Sequence, residues 1–266
     1  RFMTREQSII ELGSWLKSPP GEVLLAWEQQ RMDEAVADVF GYHAVQLGLP
    51  ALDALRNNRM PHRWVASDAP PAGAAIATAL HCEYDALPFP SASVDLLVLP
   101  HTLELARDPH ETLREVERVL VPEGRVVITG LNPASLWGLR QRAGRARRGL
   151  GLGGREPLYL PSSGEFIGYW RLRDWLRLLS FEVEAGQFGC WRPPLKSAAW
   201  LQRWDWMEGV GEHWWPVLGA VYQVVAVKRV RGMRLVGLLK TARRRSAGAT
   251  AVVANRQRTL AETDSR

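Results

Sequence analysis

Residues 79–132 hold the pattern that most constrains how this chain can fold. A short apolar run at 94–99 follows a turn rich in Pro and Ser and stops at Pro100, which is typical of a strand buried on both faces. A second such run occupies 124–131, and an amphipathic helix is predicted between the two. A strand, a covering helix and another strand form a right-handed crossover in a parallel sheet. The pattern therefore predicts an α/β fold.

The sequence also specifies the limits of this helix. Asp108 is a favourable N-cap, Pro109 suits the first helical position, and Glu111 places negative charge in the first turn. Pro122 followed by Gly124 is a stop signal. We expect the helix to begin at Pro109 and to end before Pro122.

Length and composition limit the class of protein. The 266 residues accommodate one large α/β domain with extensions, and a hydrophobic content of 46% is close to the globular average. No apolar run approaches the length of a membrane-spanning helix, and the pattern of a signal peptide is not found. Cys82 and Cys190 form no CxxC pair and have no His at ligand spacing. We therefore expect reduced thiols, no metal site and a cytoplasmic protein.

The positive charge is unevenly distributed. Eleven Lys and Arg face two acids from Lys228 to Arg266, so this segment carries a net charge of +9 in a chain of +6. We expect residues 231–266 to form a basic, disordered tail. Residues 140–155 are rich in Arg and Gly, and we expect a basic loop there, either solvated or in reach of an anionic substrate.

Several short segments of the central pattern match one known family. They are Leu87-Pro88-Phe89 and the runs 94–98, 103–104, 108–109, 113–116, 118–120 and 122–124. Together they resemble the methyltransferase type 11 family of class I S-adenosylmethionine-dependent methyltransferases. The resemblance implies a Rossmann-like, seven-stranded, mostly parallel sheet with helices on both faces and an antiparallel C-terminal hairpin.

The same resemblance sets the expected organisation of the chain. Residues 41–230 would form the methyltransferase domain, after an N-terminal helical extension at 1–40. We expect a helix at about 22–40 in this extension, packed over the sheet or the cofactor mouth. The closing hairpin would comprise 181–185 and 220–227.

The cofactor implied by the resemblance is S-adenosylmethionine. The first strand is expected at 43–49, where Gly48 takes the place of the first glycine of the cofactor turn. The family carries an acid near the cofactor's ammonium group and a GxGxG loop. This chain has Gln46 at the position of that acid, and Gly48-Leu49-Pro50-Ala51 in the loop. Gln46 can form hydrogen bonds but cannot pair with a positive charge.

Asp68 is the candidate for the cofactor's ribose. It follows the second strand, expected at 62–66, and lies twenty residues after Gly48, about the interval at which such folds place a ribose-binding carboxylate. The alternative is a plain Asp-Ala-Pro-Pro turn.

A second acid is expected at the adenine. Family members place an Asp-Ala pair after the third strand, here expected at 79–83, and its carboxylate reaches the adenine amino group. Asp85-Ala86 matches that pair in type, whereas Glu83 matches it in distance from Leu87. The sequence leaves both assignments open.

His101 is the candidate catalytic base. It follows Pro100 at the carboxyl end of the fourth strand, where ligands of open α/β sheets bind, so both residues are expected to line the pocket. The alternative for His101 is a structural role that fixes the following loop. Tyr159 is a more remote second candidate for the base.

A Trp-rich insertion at 190–216 interrupts the expected hairpin, with six Trp residues in twenty-five positions. It could be an aromatic lid, a local aromatic core, or a patch that meets a partner or a membrane surface.

These observations predict an enzyme that transfers a methyl group in line from S-adenosylmethionine to a small-molecule acceptor. A non-catalytic scaffold with a degenerate cofactor loop is the first alternative. An RNA-modifying methyltransferase is the second, with nucleic acid contacts through the basic loop and tail, although no recognisable RNA-binding module favours it.

Overall fold

A computed structural model describes residues 5–68, 78–151, 158–161 and 166–229. Seven strands form one sheet in the order β3-β2-β1-β4-β5-β7-β6. They are β1 His43–Leu47, β2 His62–Ser67, β3 Leu80–His81, β4 Val94–Pro100, β5 Leu120–Leu131, β6 Phe181–Gly189 and β7 Val221–Lys228. Strands β1 to β5 pair in parallel, and β7 is antiparallel to both β5 and β6. The predicted seven-stranded, mostly parallel sheet with an antiparallel C-terminal pair is confirmed.

The helices cover both faces of the sheet. They are α1 Arg5–Leu16, α2 Pro19–Ala37, α3 Thr102–Leu105, α4 Pro109–Val119, α5 Leu136–Gly149, α6 Tyr169–Leu178, α7 Ala198–Arg203 and α8 Met207–Trp214, followed by a 3₁₀ turn at Pro216–Leu218. Leu97 of β4 joins the core under α4 and α6, whereas Leu96 joins the core under α2. Because successive side chains of a strand point to opposite faces, the all-apolar β4 fills both cores. None of the described helices combines the length and the apolar character needed to cross a bilayer.

The crossover from β4 through α4 to β5 forms as predicted. The Asp108 carboxylate accepts hydrogen bonds from the backbone N–H groups of His110 (2.9 Å) and Glu111 (3.2 Å), and Pro109 opens the helix. Strand β5 begins at Leu120, four residues earlier than expected, because the pairing with β4 continues through a register shift between Val94 and Leu96.

Helix α2 covers the sheet face beside β1. It begins at Pro19 rather than at Glu22, since two prolines are tolerated in the first turn. Residues 48–61, all described, form turns and no helix, and they are tied to α2 by side chains. Gln29 Nε2 donates to the Asp53 carbonyl (2.8 Å), and Asn58 Nδ2 donates to the Val36 carbonyl at the end of α2 (2.8 Å). Helix α2 and this loop therefore cover one face of the sheet together.

The predicted basic loop is corrected in its first half, because residues 136–149 form α5. Ser135 caps this helix by accepting a hydrogen bond from Gly138 N (3.1 Å), and Trp137 is fully buried. The backbone of Pro133 leaves no room for a side chain at position 138. Packing therefore requires glycine there, although glycine lowers helix propensity. The later part of the expected loop, 152–155, and the tail 231–266 lie outside the described residues.

The Trp-rich segment leaves the sheet at the edge where the parallel strands end. Gly189 at the end of β6 and Leu131 at the end of β5 both pair with Val221 at the start of β7. The connection from β6 to β7, which contains α7 and α8, therefore starts and finishes at this edge.

Candidate active site

The carboxyl ends of the parallel strands meet at one edge of the sheet. Leu47 of β1 pairs with Ala66 of β2, and Pro100 of β4 pairs with Thr129 of β5. Ligands of open α/β sheets bind at this edge. Of the residues predicted to form the site, Gly48, Asp68 and His101 directly follow β1, β2 and β4.

Gly48 makes a tight turn at the end of β1. Its φ of +77° lies in the left-handed region, and its N–H donates to the Ala66 carbonyl of β2 at 2.7 Å. A Cβ atom at this position would lie 2.8 Å from the Tyr84 hydroxyl oxygen. Both the backbone conformation and this close contact require glycine, as the sequence pattern predicts.

The Gln46 side chain is buried and organises the turn that follows β1. Its Nε2 group donates to the carbonyls of Gly48 (3.1 Å) and Leu52 (2.8 Å), and its Oε1 atom accepts from Ala54 N (3.0 Å). A carboxylate could not donate these bonds, which explains why an amide stands where the family has an acid. These bonds hold Gln46 to the loop, and its predicted contact with the cofactor stays a prediction.

Asp68 lies directly after β2 and is half-buried. Cys82, just after β3, is held close to the end of β2 by a hydrogen bond from its N–H to the Ser67 carbonyl (3.2 Å). Burial raises the pKa of the Cys82 thiol, and the negative charge of Asp68 raises it further. Asp68 is thus a carboxylate at the β2 end, beside the segment that follows β3.

Both candidates for the adenine contact lie in the turn after β3. Glu83 is exposed and Asp85 is half-buried, and the Ala86 N–H points to the Glu83 carbonyl across the turn (3.4 Å). The turn is anchored to α4, since Leu87 N donates to Glu115 Oε2 (3.0 Å). Asp85 is the more enclosed of the two carboxylates.

His101 is completely buried at the end of β4. Its backbone has a φ of 53°, and it precedes the short helix α3. The Nδ1 atom lies 2.9 Å from Glu104 Oε2, and the Nε2 atom lies 2.9 Å from Glu28 Oε1 on α2. A carboxylate thus lies beside each ring nitrogen, and the contact of Nδ1 with Glu104 has the geometry of a hydrogen bond. This arrangement does not favour the predicted base role, and it favours a fixing role instead.

The electrostatics of this cluster keep His101 charged. Burial alone would lower the pKa of His101, but the carboxylates of Glu28 and Glu104 together raise it well above its usual value. Burial raises the pKa of Glu104, while the imidazolium and the N–H of Leu131 oppose that increase. The side chains of Glu28, His101 and Glu104 are thus buried together.

Glu28 is the member of the cluster that the sequence analysis missed. It is fully buried, and neither of its carboxylate oxygens has a hydrogen-bond donor among the described residues, although Oε1 lies 2.9 Å from His101 Nε2. The signal was present, because Glu28 falls between Leu24 and Met32 on the buried face of α2. A charged residue in an apolar helical stripe calls for a buried partner.

Tyr159 contacts α5 and the Trp-rich segment. Its hydroxyl donates to the Leu195 carbonyl (3.2 Å), and its ring packs edge-on against Trp137. Burial raises the pKa of Tyr159, which makes it harder to ionise. These contacts describe a packing residue of the region between α5 and the Trp-rich segment.

Comparisons with known proteins agree with this architecture. Residues 51–128 match the sequence profile of the family described as "Methyltransferase domain". The chain is 30% identical over 178 residues to the uncharacterized protein YafS of Escherichia coli strain K12. The aligned stretch covers 66% of this chain and 68% of YafS.

Two solved structures share the fold at low sequence identity. One belongs to a complex, from Haloferax volcanii, of the Trm112 methyltransferase activator with a protein described as a methyltransferase. Its TM-score is 0.53 at 17% sequence identity, and the match covers 84% of this chain and 97% of that chain. The other is a methyltransferase from Archaeoglobus fulgidus that depends on S-adenosylmethionine. Its TM-score is 0.51 at 14% sequence identity, and the match covers 78% of this chain and 94% of that chain. With its sheet order, its strand-end turn and these matches, the chain belongs to the class I methyltransferases of the methyltransferase type 11 domain family.

Proposed function

We propose that this protein binds S-adenosylmethionine and transfers its methyl group in line to a small-molecule acceptor. The observation that carries the proposal is the succession of Gly48, Asp68 and Asp85 after three neighbouring parallel strands. These residues supply a close backbone approach and two carboxylates, which suit the hydroxyl and amino donors of a nucleoside.

The two halves of the cofactor fit the site differently. The nucleoside half matches the acids after β2 and β3. The amino-acid half meets a turn that lacks two of the family's three glycines. This turn is held by the Gln46 side chain, and no helix follows it within 48–61. The N-terminus of a helix would otherwise favour a carboxylate group there. We infer that the nucleoside contacts supply most of the affinity.

Each residue has a defined task in this proposal. Asp68 would accept hydrogen bonds from the ribose hydroxyls, and Asp85 or Glu83 would accept from the adenine amino group. Pro100 ends the strand that forms the floor of the site. The cluster around His101 would fix α2 over the sheet edge and keep water out. When bound, S-adenosylmethionine supplies an activated methyl group, so alignment of the acceptor matters more than proton transfer.

Calorimetric titration with S-adenosylmethionine and with its demethylated product tests the proposal. Asp68→Asn should raise the Kd of both ligands at least tenfold, since a hydrogen bond to a charged group contributes about 1.5–3 kcal/mol. Asp174→Asn, an exposed change on α6, is the matched control and should leave both values unchanged.

Two results would count against it. Absence of binding by the folded wild-type chain at millimolar ligand would support the non-catalytic scaffold with a degenerate cofactor loop. Equal affinities of Asp68→Asn and the wild type would remove Asp68 from the site.

A further inference from the structure

Helix α5 has two distinct apolar faces, of which only one packs on the protein. Trp137 and Gln141 are buried on the inner face, where Gln141 Nε2 donates to the Leu160 carbonyl (3.1 Å) and Trp137 Nε1 donates to the Arg192 carbonyl (2.7 Å). The outer face carries an exposed stripe of Leu136, Leu139, Ala143, Ala146 and Leu150. At 100° per residue this stripe is roughly 80° wide. It is a continuous apolar surface that the described residues leave uncovered.

The stripe is highly exposed and is bordered by arginines. Leu139 is 61% exposed and Leu150 is 73% exposed. Arg140 and Arg147 flank the stripe on one side and Arg142 flanks it on the other, in a helix with five arginines. No acid occurs anywhere between Glu123 and Glu156. The stripe therefore combines apolar contact area with arginines at both of its borders.

The Trp-rich segment adjoins this helix. Besides the bond from Trp137 to Arg192, the Arg140 guanidinium donates to the Pro194 carbonyl. Beyond these contacts the segment presents four indoles to solvent, namely Trp200 (51% exposed), Trp206 (59%), Trp214 (71%) and Trp215 (52%). Exposed Trp is uncommon in a monomeric protein, and Trp is enriched where proteins meet the membrane–water interface.

We propose that α5 lies on an anionic lipid bilayer, with its Leu and Ala stripe at the acyl boundary and its arginines at the headgroups. The arginines alone would suit nucleic acid equally well. The exposed leucines decide between the two, because aliphatic side chains gain free energy in a bilayer interface but offer no stacking surface for a base. The proposal is independent of methyl transfer, since it involves none of the residues assigned to the cofactor.

Flotation of the full chain with vesicles tests the proposal. Vesicles of phosphatidylcholine alone would be compared with vesicles containing phosphatidylglycerol, at about physiological ionic strength. We expect the wild type to bind the anionic vesicles and Leu139→Glu to bind them at least tenfold more weakly. Leu178→Glu is the matched control, because it adds the same charge at another exposed leucine, on α6, and it should bind like the wild type. Both variants keep the basic tail, so its contribution cancels.

Three outcomes would overturn the proposal. The first is absence of wild-type binding to anionic vesicles, and the second is an equal loss in Leu139→Glu and Leu178→Glu. The third is that the wild type binds a single-stranded RNA oligomer, that this RNA prevents vesicle binding, and that Leu139→Glu does not weaken the RNA binding. This third result would identify α5 as a nucleic acid surface. Far-UV circular dichroism of each variant would establish that it is folded.

Discussion

Replacement of His101 by Asn would test whether a buried cation fixes α2 to the sheet. Asn tolerates the left-handed backbone at this position, so the change removes the charge with little backbone strain. Glu28 and Glu104 would then be left as buried carboxylates without a cation. Removal of one partner of a buried ionic group costs about 3–5 kcal/mol, and we expect the free energy of unfolding at pH 7 to fall by about that amount.

The loss should depend on pH in a defined direction. Because the pKa of His101 is raised in the folded protein, its stabilising contribution is fully present below the unfolded value of about 6.5 and is lost as pH rises through the folded value. The pKa of Glu104 is also raised by burial, so this carboxylate can take up a proton in the variant as the pH falls. Below pH 6.5 the loss of the His101 contribution makes the deficit slightly larger, whereas protonation of Glu104 in the variant makes it smaller. We expect the second effect to dominate, so the deficit of His101→Asn should be smaller near pH 5 than near pH 7.

Urea denaturation followed by Trp fluorescence at pH 5 and pH 7 measures this difference. His213→Asn changes an exposed histidine of α8 and should shift the free energy of unfolding by no more than about 0.5 kcal/mol. Adding Glu28→Gln to His101→Asn removes one uncompensated charge and should restore part of the stability. A loss below about 1 kcal/mol at pH 7, or an equal loss at both pH values, would refute the reasoning.

Two further predictions concern the turn after β1, and urea denaturation measures both. Gln46→Ala removes the acceptor of the Ala54 N–H and should lower the free energy of unfolding by about 1–3 kcal/mol; an unchanged value would show that the amide does not hold the turn. Gly48→Ala forces a side chain into a left-handed conformation beside the Tyr84 hydroxyl and should cost more than about 1 kcal/mol, whereas Gly149→Ala, in open space at the end of α5, should be neutral or stabilising. Equal effects of the two glycine substitutions would contradict the second prediction.

The strand, helix and strand at 94–131 could be predicted from the sequence because their signals are local. The Asp108 cap, the proline after it and the apolar runs act within a few residues of their own position. The antiparallel ending at β6 and β7 followed from the resemblance to the methyltransferase family. Gly48 was predictable for the same reason, since a tight turn at a strand end demands glycine.

The contacts made by Glu28 and the helical state of residues 140–149 could not be predicted in this way. The pairing of Glu28 with His101 joins residues far apart in the chain, and only the tertiary structure brings them to 2.9 Å. In α5, glycines lower the helix propensity, and the compensation comes from Trp137 and Gln141 packing on distant segments. In α5, local preference was thus overridden by tertiary contacts.

The position of β7 has a consequence for how the chain can fold. It is the last of the seven strands in sequence, yet it lies between β5 and β6. During synthesis from the N-terminus, neither of those strands can complete its hydrogen bonding until residues 221–228 have left the ribosome. Until then the edges of β5 and β6 remain open to pairing with other chains. We expect nascent chains that stop before β7 to depend on chaperones, and the sheet to close in one late step.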